Sequence, residues 1–180
     1  EVTREFREYE RASTTTLAAY VQPVIEGYLG RFVEALAEKG FAGQFSVMQS
    51  NGGRMPAEAM ARNAIAALFS GPAAGVIGAL RQVEASGARD LITLDMGGTT
   101  TKASIIENGE ILRARDYEVG GPVSVSSRLV RGGGYLLRIP VIDISEVGAG
   151  GGSIAAIDTG GALRVGPRSA GASPGPACYG

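Results

Sequence analysis

LITLDMGGTTTKASIIENGEIL, from Leu91 to Leu112, is the stretch from which the fold of this chain can be predicted. Apolar and β-branched residues lead into Asp95, a pair of glycines follows at 97–98, and three threonines come next. Asn108-Gly109 is a strong signal for a hairpin turn. We therefore expect strand, glycine turn, strand, hairpin and strand, with the carboxylate of Asp95 at a strand end beside the glycine turn.

The loop from Asp95 to Thr101 carries the residue types that bind the phosphates of a nucleotide. Glycines let main-chain N–H groups reach phosphate oxygens, and threonine hydroxyls add donors. A carboxylate at the adjacent strand end suits magnesium, which prefers oxygen ligands and keeps most of its waters. Because phosphoryl transfer depends mainly on positioning and charge neutralisation, the loop predicts a nucleotide site. A plain hairpin turn is the alternative interpretation.

Two other nucleotide fingerprints are incomplete in this sequence. A Walker-type loop needs a Gly-Lys-Ser/Thr ending, and the stretch from Gly97 to Lys102 lacks it. The dinucleotide pattern begins at Gly148-Ala149-Gly150, but Ser153 stands where the third glycine belongs. Neither fingerprint therefore explains the glycine-rich segments.

Composition excludes several classes of function. The 180 residues suffice for one domain with a core, and a net charge of −1 gives no electrostatic case for nucleic acid or an anionic membrane. The sequence contains no histidine, which excludes Ser-His-Asp and Cys-His catalysis within it. Its one cysteine, Cys178, predicts a free thiol in a reducing, cytoplasmic compartment rather than a catalytic residue. No apolar run is long enough to span a bilayer.

The first half of the chain predicts helices around one short strand. A helix is expected from the Ser13-Thr14 cap to Gly40, kinked or split by Pro23, because apolar residues recur at steps of three and four. Further elements are expected as a strand at 44–49, a helix at 56–69 and a helix at 73–85.

Two loops in this half are candidate ligand sites. The polar turn that holds Gln49 and Asn51 follows a strand, where α/β sheets place ligands, although a plain turn is equally compatible. Ser70 and Gly71 lie in the break before the helix at 73–85, and the free N–H groups from Ser70 to Gly75 could bind an anion. The alternative, which we favour, is that Gly75 and Gly78 let this helix pack closely on a neighbour.

The second half is rich in glycine. We expect a long loop at 119–138, an edge strand at 139–144, and a loop at 148–152 that exposes its backbone. A second hairpin is expected through 158–161, followed by an extended segment from 169 to the end. The first and last residues do not look like natural termini, which suggests a segment of a longer protein.

A series of six blocks resembles the hydantoinase A/5-oxoprolinase family, which includes N-methylhydantoinase A and the acetone carboxylase β subunit. The loop after Asp95 also resembles the phosphate motif of actin, sugar kinases and heat-shock ATPases. The blocks span nearly all of the chain in the family's order: Tyr9–Thr15, Met48–Gly53, Ser70–Gly75, Asp95–Thr101, Val147–Ala155 and Ser169–Gly180.

The resemblance implies an α/β fold, a ribonuclease H-like or actin-like ATPase lobe with a mixed sheet, a β-meander and flanking helices. Residues 1–180 would form one partial lobe, facing an N-terminal lobe that is missing here. Its parts would be a helical entry at 1–43, a strand and helices at 44–90, the phosphate-loop meander at 91–118, and glycine-rich loops with a hairpin at 119–180.

The implied activity is ATP-dependent opening of a cyclic amide such as hydantoin or 5-oxoproline, through a phosphorylated amide oxygen that water attacks. The partners implied are a hydantoinase B-type subunit and a small-molecule substrate. The alternatives are an ATP-dependent ketone carboxylase subunit, a sugar or small-molecule kinase of the same fold, and a non-catalytic lobe that responds to nucleotide during assembly. We expect the 180-residue segment alone to have little turnover.

The resemblance also assigns site residues. Asp95 would be the catalytic carboxylate and the magnesium ligand. ATP would be held by two sets of residues: Gly97, Gly98, Thr99, Thr100 and Thr101 at the phosphates, and Gly150, Gly151, Gly152 and Ser153 near the nucleotide. Many members have aspartate where this chain has Lys102, which would contact phosphate or point to solvent.

Overall fold

The computed structural model describes residues 2–4, 6–120, 123–124 and 133–179, and this part of the chain forms an α/β structure. Three α-helices are present: α1 (Glu8–Glu38), α2 (Ala57–Arg62) and α3 (Ser70–Val83). Short 3-10 helices cover Ala64–Ala67, Glu84–Ser86 and Ala177–Tyr179. The strands are β1 (Ser46–Met48), β2 (Arg54–Pro56), β3 (Leu91–Met96), β4 (Thr101–Glu107), β5 (Glu110–Ile111), β6 (Arg113–Ala114), β7 (Tyr117–Val119), β8 (Val123–Ser124), β9 (Tyr135–Leu137), β10 (Val141–Ile142), β11 (Ser145–Val147), β12 (Ser153–Ile157) and β13 (Leu163–Ser169).

The central sheet has the strand order β3-β4-β11-β8, and β5 also pairs with β4. Residues of β3 and β4 pair from Leu91 with Ile106 to Met96 with Thr101. Asn108 and Gly109 both have positive φ, 55° and 78°, as a tight hairpin turn requires. The predicted strand, glycine turn, strand and hairpin are therefore confirmed, and β3 lies at the sheet edge.

Every strand pair in the described residues is antiparallel, so the mixed sheet that we predicted is not found there. β3, β4 and β5 are antiparallel because turns of only a few residues connect them, and such short turns can join only antiparallel neighbours. The small sheets outside the central one are two-stranded: β1-β2, β10-β6, β7-β9 and β12-β13. The last of these is the predicted second hairpin.

Two buried clusters hold these elements together. Ala18 of α1 packs with Ile65, Tyr117 and Leu137, and α3 contributes Ala73 and Val76 to a second cluster. The second cluster also contains Ile106 of β4, so α3 covers one face of the central sheet. The opposite face leaves Ile92, Leu94 and Met96 of β3 exposed.

Helix α1 differs from the prediction at its start. It begins at Glu8, not at Ser13-Thr14, and it continues unbroken through Pro23. Thr14 is buried within the helix, where its hydroxyl donates to the Glu10 carbonyl and accepts from the N–H of Arg138. The predicted cap at Ser13-Thr14 is therefore wrong, and the Thr14 hydroxyl instead joins α1 to Arg138.

Three further predictions need comment. The helix expected at 56–69 is interrupted at Asn63, so α2 is short and a 3-10 helix follows it. A Cβ placed on Gly75 or Gly78 would meet nothing within 4 Å, so the predicted close packing at these glycines is wrong. The predicted loop at 119–138 lies partly outside the described residues.

Among the described helices, none combines the length and the apolar character that a membrane span would need.

Candidate functional site

The turn between β3 and β4 has carbonyls that accept hydrogen bonds from a second loop and main-chain N–H groups that are free within the described residues. Gly97 donates its N–H to the Thr100 carbonyl at 2.9 Å, which closes the turn. The carbonyls of Gly97 and Gly98 accept from a second loop, whereas the N–H groups of Gly98 and Thr99 donate no hydrogen bond within the described part of the chain. The turn therefore presents adjacent free main-chain donors, an arrangement that can bind an anion.

The second loop is the glycine-rich segment at 148–152, which lies directly against the turn. Gly151 donates to the Gly97 carbonyl at 2.9 Å, and Gly152 donates to the Gly98 carbonyl at 2.8 Å. The hydroxyl of Thr101 donates to the Ala149 carbonyl. Two of the predicted site segments are thus in contact, although they are far apart in the sequence.

Close backbone contact explains why this segment is glycine. A Cβ on Gly150 would lie 2.6 Å from the Gly97 carbonyl oxygen, and one on Gly152 would lie 2.5 Å from the Gly171 carbonyl oxygen. The hydroxyl oxygen of Ser153 accepts a hydrogen bond from the N–H of Gly150 at 3.0 Å, and this bond joins the two ends of the loop. In the described structure, these glycines allow the loop at 148–152 to pack against the backbone of neighbouring loops. Their approach to a nucleotide stays a prediction.

A third segment, at 170–172, completes the stack of loops. Ala170 donates its N–H to the Gly152 carbonyl at 2.8 Å. A Cβ on Gly98 would lie 3.1 Å from the Cα of Ala172. We did not predict site residues here, although the segment belongs to the last of the six family-like blocks, which was the available signal.

Three charged residues form a row across the end of the central sheet. Lys102 of β4 pairs with Asp95 of β3 on one side and with Glu146 of β11 on the other. The Lys102 ammonium lies 3.0 Å from Glu146 Oε1 and donates to the Thr100 hydroxyl at 2.8 Å. Lys102 therefore does not point to solvent, and Glu146 is a residue that sequence reasoning missed.

Asp95 is exposed, and its carboxylate has no hydrogen bond or ion pair within the described residues. No group of three or more His, Cys, Asp or Glu residues that could hold a metal is present in the described ranges. Magnesium needs no such cage, because it is commonly held by one or two carboxylates together with substrate phosphates and water. The free carboxylate beside free N–H groups fits a magnesium ion that a nucleotide brings with it.

A cavity of about 600 Å³ runs between α3 and β3 and reaches this row of charges. Asp95 and Lys102 line one end of it, and Pro72 and Gly75 line it from the first turns of α3. Helix α3 begins at Ser70 and not at residue 73 as predicted, and the described structure gives Ser70 and Gly71 no contact with the turn after β3. Their role stays a prediction.

The turn that contains Gln49 and Asn51 makes hydrogen bonds within itself. The side-chain oxygen of Asn51 accepts from the N–H of Gly53 at 2.7 Å, and the Gln49 N–H donates to the Gly53 carbonyl at 2.8 Å. A Cβ on Gly52 would lie 2.8 Å from Ile77, so this turn packs on the core. These contacts favour the plain-turn interpretation, and a ligand role for Gln49 and Asn51 remains untested.

Comparison with known proteins agrees with the resemblance found in the sequence. A family model described as hydantoinase/oxoprolinase matches residues 11–180. An uncharacterised protein of Methanocaldococcus jannaschii is 49% identical over 180 residues, which cover 100% of this chain and 26% of that protein. Caprolactamase subunit alpha of Pseudomonas jessenii is 39% identical over 180 residues, which cover 24% of it. 5-Oxoprolinase 1 of Arabidopsis thaliana is 35% identical over 176 residues, 96% of this chain and 12% of that protein.

Two solved structures are similar in fold. A nucleotide-free acetone carboxylase has a TM-score of 0.71 and 29% identity, over 93% of this chain and 22% of that one. The ATP-dependent caprolactamase of Pseudomonas jessenii has a TM-score of 0.71 and 38% identity, over 99% of this chain and 24% of that one. The chain therefore spans about a quarter of the length of these two proteins.

Proposed function

Because this chain belongs to the hydantoinase/oxoprolinase family, we propose that it supplies one half of the nucleotide site of an enzyme that hydrolyses a cyclic amide with consumption of ATP. The observation that carries the proposal is the turn after β3, where the N–H groups of Gly98 and Thr99 are free while the carbonyls of Gly97 and Gly98 accept hydrogen bonds from a second loop. We place this segment in one lobe of an actin-like ATPase, with the second half of the site supplied by further polypeptide.

In this proposal the turn binds the phosphates of ATP. The N–H groups of Gly98 and Thr99 and the hydroxyl of Thr100 donate to phosphate oxygens. The glycine-rich loop at 148–152 holds the turn from behind through main-chain hydrogen bonds. Because these donors need no rearrangement when an anion arrives, they stabilise charge that develops during phosphoryl transfer.

Asp95 is the proposed magnesium ligand and catalytic carboxylate. Its side chain is exposed at the end of β3, one residue before the glycine turn. When bound, magnesium would neutralise phosphate charge and orient the reacting groups. The carboxylate itself is available for this role because Lys102, its cross-strand neighbour, is paired with Glu146.

A cyclic amide is the proposed substrate class because two relatives carry the names caprolactamase and 5-oxoprolinase. Caprolactam and 5-oxoproline share an amide bond within a ring. Amide resonance makes the ring carbonyl carbon a poor electrophile, and transfer of the γ-phosphoryl group of ATP to the amide oxygen, with release of ADP, would activate that carbon toward water. Hydantoin has the same functional group.

Ketone carboxylation is the second candidate, and the structural similarity to acetone carboxylase favours it. Acetone carboxylation and the caprolactamase reaction are both ATP-dependent in these relatives. Since several relatives are named as subunits, we also propose that the whole protein works with a second, B-type subunit. A cytoplasmic location is proposed from the exposed free thiol of Cys178.

The test measures ATP hydrolysis by the full-length protein with its partner subunit, against a panel of cyclic amides and of ketones with bicarbonate. Hydrolysis stimulated by a cyclic amide, with release of the ring-opened acid, supports the proposal. Stimulation only by a ketone with bicarbonate supports the second candidate, and a stable phosphorylated product would indicate a kinase. ATP consumption that depends on none of these compounds overturns the proposal.

Two variants complete this test. D95N should abolish most of the stimulated hydrolysis because it removes the charge proposed to hold magnesium. E107Q is the matched control, since Glu107 is an exposed carboxylate at the opposite end of the same hairpin. Loss of the complex in the Asp95→Ala variant, with unchanged turnover in the complex that remains, would indicate an assembly lobe instead.

A further inference from the structure

We infer that Lys102 is a positioning residue that acts through Thr100, and that Glu146 anchors it in this role. The inference rests on the proposed nucleotide site and assigns Lys102 a function other than direct contact with phosphate. It also brings Glu146, which lies outside every predicted site segment, into the architecture of the site.

The geometry places Lys102 between the two residues it contacts. Its ammonium lies 3.0 Å from the Glu146 carboxylate and 2.8 Å from the Thr100 hydroxyl oxygen. The side chains of Lys102 and Glu146 are 22% and 23% exposed, so the pair is only partly screened by water. β11 pairs with β4 in a register that sets Glu146 directly beside Lys102.

The direction of the hydrogen bond determines what Thr100 can do. An ammonium group has three donors and no acceptor, so the Thr100 oxygen must accept from Lys102. The hydroxyl keeps its own hydrogen for another partner. Lys102 thereby orients Thr100 as a donor, and the adjacent free N–H groups of Gly98 and Thr99 are donors as well.

Glu146 explains why Lys102 stays in place. Lysine carries its charge on a flexible stem with several rotatable bonds, and a free lysine beside this turn would move to the phosphates as a point charge. The Glu146 carboxylate neutralises that charge and holds the ammonium at the sheet. The ion pair thus favours an indirect role for Lys102 over direct binding.

A double-mutant cycle in the full-length protein tests the inference, with the dissociation constant of a non-hydrolysable ATP analogue and magnesium measured by calorimetry. T100V removes the hydroxyl and K102M removes the ammonium at similar length. Loss of one oriented hydrogen bond should weaken binding about fivefold in each single variant. Because Lys102 acts through Thr100, the double variant should bind no more weakly than T100V alone.

Three conservative variants separate positioning from general damage to the fold. T100S keeps the hydroxyl, and K102R keeps a charged donor, so both should restore binding close to that of the wild type. E146Q removes the anchor and frees Lys102 from Thr100, so T100V should weaken binding less in the E146Q background than in the wild type, which gives a second reading if K102M fails to fold. Thermal unfolding midpoints identify variants whose loss is merely structural.

The outcomes are distinct. Losses that multiply in the double variant mean that Lys102 contacts the nucleotide independently, and they overturn this inference while leaving the proposed function intact. Unchanged binding by K102M overturns it as well. Failure of the wild-type protein to bind the analogue overturns both the inference and the proposed function.

Discussion

The amide nitrogen of Gly151 lies 2.9 Å from the carbonyl oxygen of Gly97, so two glycine-rich loops from distant parts of the sequence are joined main chain to main chain. Gly152 and Gly98 repeat the same contact at 2.8 Å. These bonds engage the carbonyls of Gly97 and Gly98 and leave the N–H groups of Gly98 and Thr99 without a partner in the described residues. The behaviour of the turn should therefore depend on the glycine-rich loop that packs against it.

Substitution of Gly150 by alanine tests this dependence. The new Cβ would lie 2.6 Å from the Gly97 carbonyl oxygen and 2.7 Å from the Thr100 nitrogen, both of them backbone atoms. We expect G150A to lower the free energy of unfolding by about 1–3 kcal/mol, the usual cost of overpacking, and to weaken ATP binding. G148A is the matched control, because a Cβ there meets nothing within 4 Å. If G150A and G148A lowered the free energy of unfolding equally in chemical denaturation, the close contact between Gly150 and the turn after β3 would be contradicted.

Thr101 offers a milder change at the same contact. Its hydroxyl donates to the Ala149 carbonyl, and T101V replaces that donor with a methyl group. We expect a loss of about 1 kcal/mol in unfolding free energy, the typical net value of one hydrogen bond. T101S retains the donor and should behave like the wild type in the same denaturant titration. A T101V variant as stable as the wild type would contradict the contribution of this hydrogen bond.

The buried hydroxyl of Ser50 makes hydrogen bonds to the segment just before α3. It is 1% exposed, its hydroxyl donates to the Ala66 carbonyl at 2.8 Å, and it accepts from the N–H of Phe69 at 3.0 Å. S50A leaves that N–H without a partner, which should destabilise the fold by about 1–3 kcal/mol in thermal or chemical unfolding. S46A, at an exposed position on β1, should have little effect. A neutral S50A would show that another group satisfies Phe69.

How much the sequence predicts depends on how local each interaction is. The hairpin from Leu91 to Ile111 was predicted because its signals, alternating residues and Asn108-Gly109, lie within the segment itself. The start of α1 was not, because the Thr14 hydroxyl bonds to Arg138, a contact that no local pattern reveals.

The same limit applies to the candidate site. Lys102 was singled out from the sequence, but its partner Glu146 depends on the register between β11 and β4. The glycines at 150 and 152 were noticed for their chemistry, whereas their described contacts come from the packing of three loops. The chemistry of a residue can be predicted from its own segment of sequence. Which distant segments pair with each other becomes visible only in the folded structure.

Asp158 provides a test of charge in the second hairpin. The Arg164 side chain, followed by the N–H groups of Ala162 and Gly160, holds the pKa of the Asp158 carboxyl below its usual value. Because the folded-state pKa is lowered, the stabilisation is present above the ordinary pKa of aspartate and is lost as pH falls through the lowered value. An NMR titration of the carboxyl carbon should show that R164Q raises this pKa.

The control for this titration is R168Q, on the same strand as Arg164. Arg168 makes no described contact with Asp158, so R168Q should leave the titration unchanged. If R164Q and R168Q shift the pKa equally, the effect is one of overall charge and not of the direct hydrogen bond.

The central claim is that the N–H groups of Gly98 and Thr99 hold the phosphates of ATP. Amide hydrogen exchange in the full-length protein, with and without a non-hydrolysable ATP analogue and magnesium, measures those groups directly. The β12–β13 hairpin serves as the internal reference. We predict fast exchange at Gly98 and Thr99 without nucleotide and clear protection with it. Binding of the nucleotide while exchange at both amides stays unchanged would contradict the account.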